Sequence, residues 1–224
     1  MKISKLAPSK RKKGRWLCYL EDGSILRMGE DEIARFGLYT GMELTGEQRR
    51  ELEDAVRVRE VRMRALGQIS MRPLSRKELI DKLMTPPRSR KTDEEGESVQ
   101  GASEEEAAAA ADWLESLGYL DDAEYARALV RRCAAKGCGE RKMRDELWKH
   151  GVPRELWEEA LRENTGTEET LDTLLRAKLK GGTTPDRKEL QRIAAGLARR
   201  GFSWSDINDA LRRYGADTGE DETT

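Results

Sequence analysis

The chain has 224 residues, of which 38% are charged and 37% hydrophobic, with few aromatics. This composition favours one or two small helical domains with a thin core and a large wetted surface over an enzyme with a deep pocket. No apolar run approaches the length of a membrane span and no signal peptide opens the chain, so we expect no membrane partner. The three cysteines, an odd number in a chain of ordinary size, favour a reduced, cytoplasmic protein.

Positive and negative charges are segregated along the sequence, although the net charge is only −1. Residues 2–15 carry basic side chains and no acid, whereas acidic clusters lie in residues 88–102 and 215–224. A near-neutral total therefore does not exclude a nucleic-acid partner. The basic N-terminal residues are compatible with phosphate contacts and equally with a frayed, solubilising terminus.

The first 46 residues are predicted to form a small β-rich extension that contains a hairpin. Apolar residues over 16–20 precede an Asp22-Gly23 turn, and a second apolar stretch follows it. A short helix is expected from Glu30 to Phe36, and residues 42–44 are the candidate for a third strand.

A long helix is predicted to follow this extension. Thr45 and Gln48 have the spacing of a capping box, in which each side chain bonds the backbone N–H of the other residue. We expect the helix to run to about Leu66 and to place Leu52, Val56 and Met63 inward.

Two further helices are predicted on either side of an insert. Ser75 is the expected cap of a helix that ends at Thr85, and Ser103 the expected cap of the next. Residues 88–102 between them hold almost no apolar side chain and are predicted to be a disordered acidic insert.

A helix–corner–helix joint is predicted near the middle of the chain. Gly118 can adopt the left-handed conformation that ends a helix, and Asp121 or Asp122 can cap the helix that follows. The spacing places Tyr125 on the apolar face of that second helix, and we expect both Tyr119 and Tyr125 in the core.

The middle helices of three successive segments share one pattern. In each, a lysine or arginine lies two positions before an apolar residue that we call the anchor. The anchors are Leu79, Met143 and Leu190, separated by 64 and 47 positions. The excess of the first separation is close to the length of the insert, so the sequence predicts three-helix repeats of about 47 residues. Such repeats stack because none buries its apolar face alone. The predicted fold is mainly α: tandem three-helix repeats in a curved solenoid, at residues 47–118, 119–166 and 167–214, before an acidic disordered tail at 215–224.

Basic side chains that avoid the apolar helix faces are the candidate partner-binding residues. Stacked repeats would align such faces along one side of the solenoid, and arginine beside an accessible aromatic is a common interface composition. The alternative is an ordinary charged helix surface, with Trp148 packed against a neighbouring repeat. The candidates are Arg127, Arg131, Arg141, Arg144, Trp148, Lys188, Arg192 and Arg199.

We expect no catalytic, cofactor or metal site. His150 is the single histidine, and Cys18, Cys133 and Cys138 would all be needed with it to complete a four-ligand zinc site. Buried or idle thiols are the favoured interpretation. A cysteine–histidine nucleophile pair would lack an orienting third group, and no phosphate-binding glycine loop is present.

The joint at residues 118–126, Gly-Tyr-Leu-Asp-Asp-Ala-Glu-Tyr-Ala, resembles the corner motif of the RecX family of recombination regulators. The later Lys136-Gly137 pair and the segment 147–152 resemble further family features, and residues 75–83 resemble its first repeat more weakly. The resemblance covers most of residues 50–214 and is strongest over 117–152.

The resemblance implies a non-enzymatic regulator of homologous recombination and DNA repair, connected with the SOS response. The implied partner is the RecA nucleoprotein filament, whose ATPase, assembly and strand exchange such a protein modulates. The expected protein is a cytoplasmic monomer without cofactors. A stand-alone helical module that binds single- and double-stranded DNA is the alternative, and it would bind bare DNA with a steep salt dependence.

Overall fold

The computed structural model describes residues 1–10, 13–86, 100–164, 166–179 and 187–214. The chain divides into two compact units, one formed by Met1–Arg72 with Leu79–Tyr119 and the other by Pro73–Glu78 with Leu120–Thr224. The elements are strands β1 (Ile3–Pro8), β2 (Trp16–Leu20) and β3 (Ile25–Met28), helices α1 (Glu30–Phe36), α2 (Gly46–Met71), α3 (Arg76–Met84), α4 (Glu104–Ser116), α5 (Asp122–Ala135), α6 (Glu140–Lys149), a 3-10 turn (Arg154–Leu156), α7 (Trp157–Arg162), α8 (Thr167–Leu179), α9 (Arg187–Arg199) and α10 (Trp204–Arg213).

The N-terminal extension is a three-stranded antiparallel sheet in the order β1-β2-β3. The hairpin of β2 and β3 and the helix α1 confirm the sequence prediction, but the third strand is β1 and not residues 42–44. That short segment runs beside β1, with the Ile3 N–H donating to the Met42 carbonyl at 2.9 Å. The basic composition of residues 2–15 does not indicate a strand, but Lys5 faces outward while Ile3 is fully buried in the core of the extension.

Helix α2 begins as predicted, with the Thr45 side chain accepting from the Gln48 N–H and Gln48 bonding back. It continues past Leu66 to Met71, and Met63 is 53% exposed, so its predicted inward position is wrong. Val61 and Ala65, one helical turn apart, are buried instead. Met63 lies midway between them in sequence and therefore on the opposite side of the helix.

Two arginines of α2 hold the chain on either side of the predicted insert, whose residues 88–99 lie outside the described residues. The Arg64 guanidinium donates to the carbonyls of Leu83 (3.1 Å), Thr85 (3.2 Å) and Gln100 (3.2 Å), and its burial lowers its pKa. Arg57 donates to the Gly101 carbonyl at 2.9 Å and to the Glu106 carboxylate. The two ends of the segment are therefore tied to neighbouring points of one helix.

Helices α4, α5, α6 and α9 end in the same corner, which confirms the predicted role of Gly118. After α4 the Tyr119 N–H donates to the Leu114 carbonyl (2.9 Å) and the Gly118 N–H to the Glu115 carbonyl (2.9 Å), while Gly118 takes φ = 72°. This paired closure is the Schellman motif, which needs a residue without a Cβ at the left-handed position. Tyr119 is 65% exposed, so its predicted core position is wrong. Asp121 is the cap of α5 and accepts from two backbone N–H groups.

The predicted repeats correspond to α2–α4, α5–α7 and α8–α10. Repeats 2 and 3 each have a buried core of their own, which includes the anchors Met143 and Leu190 respectively. The predicted mainly helical fold with three-helix repeats and a small β-rich extension is confirmed. The acidic tail lies outside the described residues.

Repeats 2 and 3 are joined backbone to backbone. The N–H groups of Gly139 and Arg141, at the start of α6, donate to the carbonyls of Arg200 (2.9 Å) and Gly201 (3.0 Å), which follow α9. The first-turn N–H groups of a helix have no partner within it, and here the end of another helix supplies one. A Cβ placed on Gly139 would lie 2.3 Å from the Phe202 nitrogen, so the contact excludes any side chain.

The start of α3 makes a related contact within the second unit. The Ser75 hydroxyl bonds the His150 carbonyl, and the Arg76 N–H donates to Asp122 Oδ1 at 2.8 Å. Lys77 lies against Gly151, where a Cβ would come within 2.3 Å of its Cδ. In both cases the start of one middle helix meets the glycine corner that follows the next middle helix.

Gly139→Ala should destabilise the protein by about 1–3 kcal/mol, the usual cost of overpacking a close contact. The matched control is Gly196→Ala, because Gly196 lies inside α9 and a Cβ added there would meet nothing within 4 Å. That change should stabilise by up to about 1 kcal/mol through helix propensity. Urea denaturation of both variants measures the difference, and equal effects would show that the joint tolerates a side chain.

Replacing residues 87–99 with a short Gly-Ser linker should leave the melting temperature nearly unchanged. The ends are already held by Arg57 and Arg64, and each halving of loop length changes the closure free energy by only about 0.6 kcal/mol. Arg64→Met is the comparison and should cost about 0.5–1.5 kcal/mol, because three carbonyls at the ends of the segment lose a donor. A large drop in melting temperature on linker replacement would mean that the segment itself contributes packing.

Candidate partner-binding surface

The outward face of α9 is a stripe of basic side chains. Lys188, Arg192 and Arg199 are exposed and share one side of the helix, opposite a buried apolar face. None of the three forms an ion pair with a described residue. Lys188 and Arg192 border a shallow recess together with Lys178, Glu189 and Ile193. This face of α9 therefore offers cations that no intramolecular carboxylate among the described residues neutralises.

Helix α6 carries an exposed aromatic residue and two arginines, of which only one forms ion pairs with described residues. Trp148 is 67% exposed, so the alternative that it packs against a neighbouring repeat is wrong. Arg141 is exposed and forms no ion pair with the described residues. Arg144 instead bonds Glu158 at 2.7 Å and Glu140 at 2.8 Å, which raises its pKa and lowers that of Glu158. The predicted stripe on α6 is therefore divided.

The arginines of α5 are held within their own repeat. Arg131 and Arg127 bond Glu124 at 2.8 and 3.1 Å, and these bonds lower the pKa of that exposed carboxyl. The Arg127 side chain is only 24% exposed and also lies within 4.0 Å of Glu159 and Glu163. Arg127 is therefore partly covered by acidic side chains, although the spacing places it away from the apolar face of α5. Its acidic neighbours belong to the third helix of the repeat and the residue after it, which the spacing within α5 does not reveal.

A hydrogen-bonded cluster that the sequence did not indicate joins α3, α5 and the corner after α6. The Tyr125 hydroxyl donates to Glu78 Oε2 (3.2 Å) and lies 3.0 Å from Nδ1 of His150. The same Nδ1 lies 2.9 Å from Glu78 Oε1. Tyr125 is buried as predicted, with its ring edge-on to the imidazole. The signal that could have found Glu78 is its position three residues after the cap Ser75.

This cluster lies at the contact between the start of α3 and the corner after α6. Asp122 lies at the same contact, where burial raises the pKa of its carboxyl and the Arg76 N–H bond opposes that rise. Among the described residues no three histidine, cysteine or acidic side chains converge as metal ligands. No helix in the described part of the chain is long and apolar enough to cross a bilayer. These hydrogen bonds join the start of α3 to α5 and to the corner after α6.

Family models described as the second and third three-helix domains of RecX match residues 121–161 and 167–211. The Regulatory protein RecX of Xanthomonas axonopodis pv. citri is 36% identical over 151 residues, which cover 66% of this chain and 84% of that protein. Its counterpart from Levilactobacillus brevis is 30% identical over 206 residues, covering 90% of this chain and 72% of the relative.

Solved structures show the same fold. A crystal structure of regulatory protein RecX has a TM-score of 0.66 at 24% identity and covers 95% of this chain and 98% of that one. The structure of RecX from Lactobacillus salivarius has a TM-score of 0.57 at 23% identity, covering 72% and 98%.

The described residues thus define a class of protein: three-helix repeats with a β-rich extension and a stripe of basic side chains on α9. Within that class, the relatives and the two domain matches identify the family. This chain belongs to the RecX family of regulatory proteins.

Tyr125→Ala should destabilise the protein by about 3 kcal/mol, because it removes a buried aromatic ring from the core of repeat 2. Tyr125→Phe keeps the ring and removes only the hydroxyl bonds to Glu78 and His150, so about 1 kcal/mol is expected. Chemical denaturation of the two variants separates the contribution of packing from that of the cluster. A Phe variant as unstable as the Ala variant would make the hydroxyl bonds the dominant contribution.

Proposed function

We propose that this protein is a non-enzymatic regulator of homologous recombination that binds RecA–DNA filaments. In this role it modulates RecA ATP hydrolysis, filament assembly and strand exchange, as a cytoplasmic monomer in DNA repair and the SOS response. Membership of the RecX family supports the role of regulator. The observation that carries the choice of surface is the stripe of basic side chains on α9, which form no ion pair with a described residue.

Basic side chains that form no ion pair with a described residue are better suited to bind a partner than those already held in an ion pair. Lys188, Arg192 and Arg199 can accept a carboxylate or phosphate without first losing an intramolecular ion pair with a described residue. Arg131 and Arg144 would have to exchange the carboxylates of Glu124 and Glu158, so their net gain on binding is smaller. We therefore assign the main electrostatic contacts to repeat 3.

Trp148 is the proposed anchor of the α6 part of the interface. An indole that is two-thirds exposed lies in water unless a partner covers it, and tryptophan and arginine dominate the binding energy of many interfaces. Arg141 is on the same helix and is free of intramolecular ion pairs in the described part of the chain. Long-range electrostatic attraction by the basic side chains would speed the encounter with the filament, and burial of Trp148 would slow dissociation.

Co-sedimentation tests the proposal directly. The protein should pellet with RecA–ATP–DNA filaments at concentrations where it remains in the supernatant with DNA alone. Equal recovery with bare DNA would reject a filament-specific role. Loss of recovery when RecA is present but DNA is absent would identify the assembled filament as the ligand.

A stand-alone nucleic-acid-binding role is the second candidate. The recess bordered by Lys178, Lys188 and Arg192 favours it, because clustered cations fit a phosphate backbone. In this case binding to bare single- or double-stranded DNA would need no RecA. Its affinity would fall steeply with salt, by about 0.7–0.9 log units per neutralised phosphate for each tenfold rise in salt concentration.

Reversing both Lys188 and Arg192 to Glu should weaken filament binding at least about tenfold, equivalent to about 1.4 kcal/mol. The fold should be spared, because exposed substitutions usually change stability by no more than about 0.5 kcal/mol each. The control reverses Lys2 and Lys5, which changes the net charge by the same amount in the exposed part of the β-rich extension. Titration in the co-sedimentation assay measures both, and equal losses would attribute the effect to net charge alone.

A further inference from the structure

The corner after α5 places two cysteines at its paired positions. The Cys138 N–H donates to the Cys133 carbonyl at 3.1 Å, and the Gly137 N–H donates to the Ala134 carbonyl at 2.8 Å. Gly137 takes φ = 71°. These bonds define a Schellman motif in which Cys133 is the third residue from the end of the helix and Cys138 is the second residue beyond the cap.

Side chains at these two positions of the motif characteristically touch. After α6 the corresponding residues are Leu147 and Val152, and both are buried. In repeat 2 Cys133 is buried and the partly buried Cys138 packs against the same core cluster. The thiol groups thus take the place of an apolar pair.

The separation of the two cysteines is within reach of a disulfide. The Cys133 oxygen and the Cys138 nitrogen are 3.1 Å apart, and standard bond lengths add about 2.4 Å and 1.5 Å to reach the two Cα atoms. Their Cα atoms therefore lie at most about 7 Å apart, and closer because the path is bent. A disulfide joins Cα atoms about 4.4–6.8 Å apart, so the bridge needs little backbone movement.

We propose that Cys133 and Cys138 form a redox-active dithiol that closes reversibly into a disulfide by exchange with a small-molecule disulfide. The Cys138 thiolate attacks one sulfur of the reagent, whose S–S bond breaks and releases one thiolate. Cys133 then loses its proton to that thiolate and attacks the Cys138 sulfur, displacing the second thiolate. The protein dithiol is oxidised to one disulfide, and the reagent is reduced to two thiols.

The order of attack follows from exposure. Cys138 is partly exposed, whereas Cys133 is buried. Burial raises the pKa of the Cys133 thiol, and the nearby Cys138 sulfur raises it further. Since the thiolate is the reactive form, the exposed cysteine meets the reagent and the buried one resolves the mixed disulfide. Transient disulfides of this kind are compatible with a reducing compartment.

The bridge would lie at the joint between repeats 2 and 3. The carbonyls of Lys136 and Gly137, inside the loop that the disulfide closes, accept long bonds of 3.5 Å from Arg200. The Gly139 N–H, directly after Cys138, donates to the Arg200 carbonyl at 2.9 Å. Oxidation therefore fixes the loop to which the third repeat is attached.

The test incubates the full-length protein with oxidised glutathione, followed by alkylation of free thiols and tryptic peptide mapping. Cleavage after Lys136 separates the two cysteines, so their disulfide appears as a linked pair of peptides, 133–136 with 137–141. We expect free thiols to fall from three to one per chain, the survivor being the buried Cys18. Dithiothreitol should restore all three.

Two single variants test the order of the steps. Cys133→Ser lacks the resolving thiol, so it should retain one glutathione on Cys138. Cys138→Ser should take up much less glutathione at the buried Cys133. Circular dichroism establishes whether each variant is folded, and the peptide map of the unaltered protein decides the matter if either is not.

Two results would overturn the proposal. One is a full set of three alkylatable thiols in a buffer that oxidises a reference dithiol completely. The other is stable glutathionylation of Cys138 in the unaltered protein without linked peptides, which would mean that Cys133 cannot reach it.

Discussion

The contact between the start of α6 and the glycine corner after α9 is the constraint on which the second unit depends. Two N–H groups at one helix start need acceptors, and two carbonyls beyond another helix end need donors. Bringing the two ends together satisfies both sets within 3.0 Å. The approach is possible only because Gly139 and Gly201 lack side chains, since a Cβ on either would lie within 2.5 Å of backbone or side-chain atoms.

Packing within the repeats determines which side chains remain for partners. The buried apolar residues of repeats 2 and 3 form the core of their own repeat, and several basic side chains of repeat 2 form ion pairs between its helices. Arg127 and Arg144 both bond acids that come from the third helical segment of repeat 2 or its end. On the equivalent outer face of α9, Lys188 and Arg192 form no ion pair with a described residue. The basic residues of repeat 2 and those of α9 have similar sequence patterns, but they differ in the charge that they present to a partner.

Local signals in the sequence predicted the elements well where the chemistry is local. The Thr45 capping box, the Ser103 and Asp121 caps and the Gly118 corner depend on residues within a few positions of one another. Periodicity likewise placed Met143 and Leu190 in their cores. The fold class followed because these local signals recur at the period of a repeat.

The errors concern contacts between residues distant in the sequence. Glu78 lies 72 positions from His150, and no pattern within α3 relates the two. Arg127 resembles a solvent-facing arginine when α5 is considered alone, but its exposure depends on Glu159 and Glu163. Tyr119 has a large aromatic side chain of the kind expected in a core, yet the corner after α4 leaves it exposed. Spacing predicts the face of a helix but not what covers that face.

The two glycine corners share one arrangement, in which a corner carbonyl accepts a hydrogen bond from the start of another helix, but the donors and the neighbouring side chains differ. The residue before the left-handed glycine is His150 in one corner and Arg200 in the other, and each presents its own carbonyl to a helix start. Their side chains differ: the imidazole bonds Glu78 and Tyr125, whereas the guanidinium bonds the carbonyls of Lys136 and Gly137. An exchange of these corners would leave Glu78 without its imidazole partner and would place a long cation beside Tyr125. The corner carbonyl thus supplies the general means of joining, while the side chain before the glycine makes each joint specific to its own pair of elements.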